Sequence, residues 1–221
     1  MLKEEDRVRA RLVLKTLESK FKVPSISKVA GDPFKVLVRT IISQSTAEIN
    51  TRRAYENLSK KVALTPKGLA EADIKEIEEA LFVAGLYRNK SRIIKAVSEA
   101  ILKDLGGSLD FIYSDPLEKA REKLLRLPGV GPKTADILLL FCAGKPVLPV
   151  DTHVNRVSKR LGFVSEKAGY EEVRKTLESL YTPKEYFKVH MLFISLGRKF
   201  CRALNPKHAE CPVRHLCPSK T

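Results

Sequence analysis

The chain has no tryptophan, two methionines and a single glutamine, Gln44, in 221 residues. So few thermolabile side chains, beside abundant lysine and glutamate, fit a thermophilic origin. No apolar run reaches membrane-spanning length, and Met1-Leu2-Lys3-Glu4-Glu5-Asp6 lacks a secretory pattern. A soluble, cytoplasmic protein with no membrane partner is expected. Negative charge is also in short supply: 26 Asp and Glu face 41 Lys and Arg, a net charge of +15. An excess of this size in a folded chain points to a polyanion, nucleic acid before any other. Internal repeats and low-complexity linkers are missing, and nothing in the sequence calls for an obligate oligomer, so a monomer is expected.

Alternating apolar and polar residues, the mark of a half-buried strand, are missing too. Helical spacing of apolar positions covers 4–20, 33–42, 46–60, 73–83, 89–105, 116–126, 133–142, 152–161, 169–180 and 184–197. Asp32-Pro33, Ser91, Gly106-Gly107, Asp115-Pro116 and Thr182-Pro183 read as helix boundaries. The fold class is therefore all-α. The best candidate break lies around Gly144-Lys145-Pro146 and Pro149, which gives two helical lobes with a groove between them.

Two segments carry the chemistry. Leu124-Leu125-Arg126-Leu127-Pro128-Gly129-Val130-Gly131-Pro132-Lys133-Thr134-Ala135 reads as a helix end, a two-glycine turn and a second helix. Gly129 and Gly131 would give the turn its φ freedom and leave no Cβ in the way of a ligand. Backbone N–H groups at such a turn and helix start suit a phosphate, as in a helix-hairpin-helix on a nucleic-acid backbone. Lys133, just past Pro132, is placed for more than a phosphate contact. A lysine amine attacks only when deprotonated, and partial burial at a helix N-terminus disfavours the ammonium. Asp151, ahead of Thr152-His153-Val154-Asn155-Arg156, reads as an N-cap. Its carboxylate would also stabilise an oxocarbenium ion and shuttle a proton from the attacking amine. Taken singly, the bland readings are a phosphate contact for Lys133 and a cap for Asp151; together in a basic chain they favour chemistry on DNA.

These residues carry a resemblance. Leu127 to Ala135, followed by Val150-Asp151-Thr152-His153, is similar to the helix-hairpin-helix/Gly-Pro-Asp superfamily of DNA glycosylases, in its endonuclease III branch. The likeness runs from about Pro33 through Cys217. It implies a six-helix barrel lobe with the hairpin over 26–145 and a second lobe that combines 1–25 with 146–221. It also implies a bifunctional DNA glycosylase/AP lyase of base-excision repair, acting on oxidised pyrimidines and abasic sites in duplex DNA. Lys133 would attack C1′, and the resulting Schiff base would undergo β-elimination. Alkylated purines or mismatched thymine or uracil are the alternative substrates, and a non-catalytic hairpin module is the alternative of another kind. The setting implied is a prokaryotic nucleoid.

A flipped-out base leaves a gap that such enzymes fill. Ile41-Ile42-Ser43-Gln44-Ser45-Thr46 resembles the segment with the polar filler; an ungapped match puts the family's glutamine at Ser45, with Gln44 one residue early. Gly85-Leu86-Tyr87-Arg88-Asn89-Lys90 resembles the wedge loop, with Leu86 either inserted or packed in the core.

Cys201, His208, Cys211 and Cys217 form C-x6-H-x2-C-x5-C. The endonuclease III branch has cysteine at the second position and holds a [4Fe–4S] cluster in the 201–217 loop. With His208 there, three readings stand. Imidazole could ligate the cluster, the Cys₃His set could hold a structural zinc, or no metal binds. The spacing lacks the two short Cys pairs of ordinary zinc modules, which favours the cluster. Cys142 reads as a core thiol, and His153, His190 and His215 have no telling spacing. Arg198, Lys199, Arg202 and Arg214 are candidate phosphate contacts.

Overall fold

The computed structural model describes residues 4–28 and 31–219. All regular elements among them are helical: α1 (Glu4–Lys20), α2 (Pro33–Ser43), α3 (Glu48–Lys61), α4 (Pro66–Glu71), α5 (Ile74–Leu81), α6 (Tyr87–Leu105), α7 (Phe111–Ser114), α8 (Leu117–Leu125), α9 (Pro132–Phe141), α10 (Thr152–Arg160), α11 (Tyr170–Leu180) and α12 (Tyr186–Lys199). Short 3₁₀ turns lie between several of them. Among the described residues no helix is long and apolar enough to cross a membrane.

The chain divides into two compact units, one contiguous (Ala30–Gly144) and one made from both ends (Met1–Val29 with Lys145–Thr221). In the contiguous unit α2 to α9 close around Leu37, Ile41, Ile42, Leu58, Ile77, Leu81, Ile94 and Ile101, all without solvent exposure. Caps set the entries. Asp32 accepts from the Lys35 N–H at 2.9 Å ahead of Pro33, and Asp73 accepts from the Lys75 N–H at 2.9 Å. Each such cap stabilises its helix by about 1 kcal/mol. Gly106, at φ +65°, ends α6 in the left-handed conformation that glycine adopts without penalty.

In the other unit α1 packs on α11 and α12, and α10 on α12. Its core holds Val13, Leu17, Val154, Val157, Leu177 and Phe193. Gly197 makes the α10–α12 contact possible, because a Cβ there would meet His153 at 2.9 Å. Glu185 accepts from Arg11 at 2.5 and 2.6 Å and from the Thr182 N–H and hydroxyl at 2.8 and 2.7 Å. Burial pushes its pKa up, but these donors and the Arg11 charge outweigh that and bring it down to about 2.

One expected boundary fails. Ser91 is no cap: it lies inside α6, fully buried, because that helix starts at Tyr87. The Asp115-Pro116 boundary stands where expected: Asp115 caps the end of α7 and pairs with Lys119 at 3.7 Å and Lys123 at 2.7 Å, while Pro116 holds the N-cap position of α8.

Candidate active site and cofactor loop

The α8–α9 hairpin depends on one glycine. Gly129 has φ +71°, and a Cβ on it would sit 2.3 Å from Ile93 Cγ2 of α6. Any side chain would have to displace the Ile93 side chain and carry left-handed strain as well. Gly131 differs from expectation: its φ is −91°, so it needs no glycine freedom. What it leaves is open space, with nothing within 4 Å of its missing Cβ. Pro132 starts α9, and half-buried Lys133 is the second residue of that helix. The second half of the hairpin is pinned by a buried ion pair, Arg121 Nε to Asp136 Oδ1 at 2.6 Å.

Two further turns of the contiguous unit share an unusual backbone. Ser45, between α2 and α3, has φ +53°, and Leu86, ahead of α6, has φ +49° after Gly85 at +65°. Left-handed conformations at non-glycine residues cost about 1–2 kcal/mol each. Gln44 and Ser45 are exposed, and Leu86 is 65 % exposed, which removes core packing as its role. Behind both turns lies Lys90, only 3 % exposed. Burial pulls its pKa below that of an ordinary lysine. In the sequence Lys90 is only the last residue of the segment that resembles the wedge loop, with no role of its own.

In the other unit Asp151 caps α10: Val154 N–H donates to its Oδ1 at 2.7 Å. Its second oxygen has no hydrogen-bond partner among the described residues. The approach to Asp151 is anchored on both sides. Buried His190 meets the Pro149 carbonyl through Nδ1 at 2.9 Å, and the Tyr170 hydroxyl accepts from the Val150 N–H at 3.3 Å. Neither residue announces itself in the sequence, because their partners are backbone atoms 41 and 20 positions away. His153 Nδ1 lies 3.0 Å from the Arg156 guanidinium. Burial, helped by Arg156 and Arg198, holds its pKa below the usual histidine value against the pull of Asp151.

The same helix reaches the Cys/His loop. Arg156 donates to the Cys201 carbonyl at 2.9 Å and the Gly197 carbonyl at 3.1 Å, and Arg160 donates to the Arg202 carbonyl at 2.7 Å and to Cys201 Sγ at 3.4 Å. Their i, i+4 spacing in the sequence was the available signal. Cys201, His208, Cys211 and Cys217 all line one pocket. Among the described residues, no three His, Cys, Asp or Glu side chains converge tightly enough to share one metal ion. Three thiols and an imidazole lining one pocket are a donor set that fits an iron–sulfur cluster. Arg198, Lys199, Arg202 and Arg214 are exposed. Cys142 ends α9 half-buried, its thiol pushed up to about 11 by burial, an inert group.

Comparison with known proteins settles the family. The model of the HhH-GPD superfamily of base excision DNA repair proteins matches residues 38–183. The chain belongs to that superfamily. Within it, the iron–sulfur binding domain of endonuclease III matches residues 201–217. Endonuclease III of Thermotoga maritima is 37% identical over 186 residues, 84% of this chain and 83% of the relative. Endonuclease III of Bacillus subtilis is 34% identical over 189 residues, 86% and 82% respectively. A solved structure of a trapped endonuclease III–DNA covalent intermediate superposes with a TM-score of 0.85 at 31% identity, covering 100% of this chain and 98% of that one. A thermostable thymine-DNA glycosylase, at 20% identity and a TM-score of 0.80, shares the fold. This endonuclease III family member is thus a base-excision DNA glycosylase/AP lyase, with a [4Fe–4S] cluster as the cofactor of its C-terminal loop.

Proposed function

We propose that the enzyme removes oxidised pyrimidines from duplex DNA and then cuts the strand at the abasic site, with Lys133 as nucleophile and Asp151 as its acid–base partner. The observation that carries this reading is Lys133 itself, the second residue of α9, immediately behind the Gly129 turn. Attack of the neutral amine on C1′ breaks the glycosidic bond, and the base leaves with its electron pair. Asp151, through the oxygen its cap leaves unbonded, stabilises the positive charge growing on the sugar and takes up the amine proton. Opening of the sugar ring, with cleavage of C1′–O4′ and protonation of O4′, gives the Schiff base, and loss of its C2′ proton then expels the 3′ phosphate. The preference for oxidised pyrimidines rests on the likeness to endonuclease III, as does duplex DNA as the partner. Gly129, Gly131, Arg198 and Arg214 are assigned to the phosphate backbone, and Gln44, Ser45 and Leu86 to the gap left by the flipped nucleotide.

Cys201, His208, Cys211 and Cys217 are assigned as ligands of the [4Fe–4S] cluster, which braces the loop bearing Arg202 and Arg214. We place the enzyme, as a monomer, in the cytoplasm of a thermophilic prokaryote, on its nucleoid.

Borohydride trapping on duplexes containing thymine glycol or an abasic site is the test. The wild type is expected to form a covalent adduct with both, and Lys133→Ala with neither, while still binding DNA. Asp151→Asn is the sharper companion, because asparagine caps a helix as well as aspartate. It should keep the fold and slow base release by orders of magnitude. Trapping by Lys133→Ala, or an unimpaired Asp151→Asn, would overturn these roles. Adducts with abasic DNA alone would move the substrate to another lesion.

A further inference from the structure

We propose that Lys90 is a positioning residue that locks the Ser45 turn to the Leu86 turn, so that both enter the DNA as one rigid unit. This rests on the reading of those turns as the gap filler and wedge. The ammonium has three protons to give, and the structure supplies three acceptors. They are the Ile42 carbonyl at 2.9 Å, the Thr46 hydroxyl at 2.5 Å and the Ala84 carbonyl at 3.1 Å. Thr46 closes the ring by donating to the Ala84 carbonyl at 2.6 Å. Ile42 and Thr46 bracket the left-handed Ser45; Ala84 precedes Gly85 and the left-handed Leu86. One side chain therefore holds the Ile42 carbonyl and the Thr46 hydroxyl on either side of one intruding turn, and the backbone at the root of the other.

The energetics argue that this is more than packing. Burying a cation costs several kcal/mol, and none of the described partners of Lys90 is a carboxylate to offset it. A methionine would fill the same space without that cost. Two exposed residues are held in strained backbone on either side of the network, and strain persists only where the surroundings over-determine it. Without the ammonium, either turn could relax independently. A filler and a wedge misplaced relative to each other by about 1 Å would lose on the order of a hundredfold in rate.

Lys90→Met and the milder Thr46→Val provide the test. Single-turnover excision is measured on thymine glycol paired with adenine, and on the same lesion facing a one-nucleotide gap, where no partner base must be held apart. The expected loss for Lys90→Met is about ten- to a hundredfold on the paired duplex, and at least about tenfold smaller opposite the gap. A second readout needs no chemistry: 2-aminopurine opposite a tetrahydrofuran abasic analogue should brighten less with saturating variant than with wild type. Thr46→Val should shift both in the same direction, and it decides the matter if Lys90→Met does not fold. Equal losses on both substrates, or normal brightening, would reduce Lys90 to a structural prop and overturn the proposal. Should the wild type excise no oxidised pyrimidine, the substrate reading fails while the fluorescence measurement still judges Lys90.

Discussion

His208 stands where the endonuclease III pattern has a thiolate, and one atom type makes a measurable difference. An imidazole ligand carries no negative charge, so a cluster held by His208 would be less electron-rich and its potential higher. His208→Cys is expected to retain or tighten the cluster and lower its potential, and His208→Ala to lose iron during purification. Iron content and the visible absorbance of the three proteins check this; zinc without iron in the wild type would refute the cluster at this site. Lys133, Asp151 and the Cys/His set could be proposed from the sequence because each lies inside a short contiguous motif. Lys90 could not, since its three acceptors come from positions 6, 44 and 48 residues away and only folding brings them together. Gly131 was misjudged for a related reason: a motif shows that glycine is present, but only the backbone shows whether φ or open space is what matters.

Among the helices, those with two or more turns of apolar spacing stand where the periodicity puts them. Helices α4 and α7 have six and four residues, too few to display a 3.6-residue period, and were missed. The entry into α12 carries a pH dependence of its own. With a folded-state pKa of about 2 against an ordinary 4.5, Glu185 stabilises the fold fully above about pH 4.5. That contribution fades as pH falls towards 2 and is gone below it. The gap in melting temperature between wild type and Glu185→Gln should therefore stay constant above pH 5 and close progressively on acidification. A gap unaffected by acid would mean that the Arg11 and Thr182 contacts contribute nothing in solution.

With a net charge of +15, DNA affinity should depend steeply on salt. About six to ten phosphate contacts would cost on the order of 10³–10⁵ in affinity between 50 and 200 mM salt. A logarithmic plot of affinity against salt gives the number directly, and a nearly flat line would show that the excess charge lies away from the DNA. The discontinuous unit has a consequence for synthesis on the ribosome. Helix α1 is translated early, yet its partners α11 and α12 follow an intervening unit of about 115 residues. At roughly 5–20 residues per second the ribosome needs roughly 6–25 s to traverse that interval. During that delay Val13, Leu14 and Leu17 must wait in water or on a chaperone, while the contiguous unit has every one of its own strands of sequence in hand and is free to fold first.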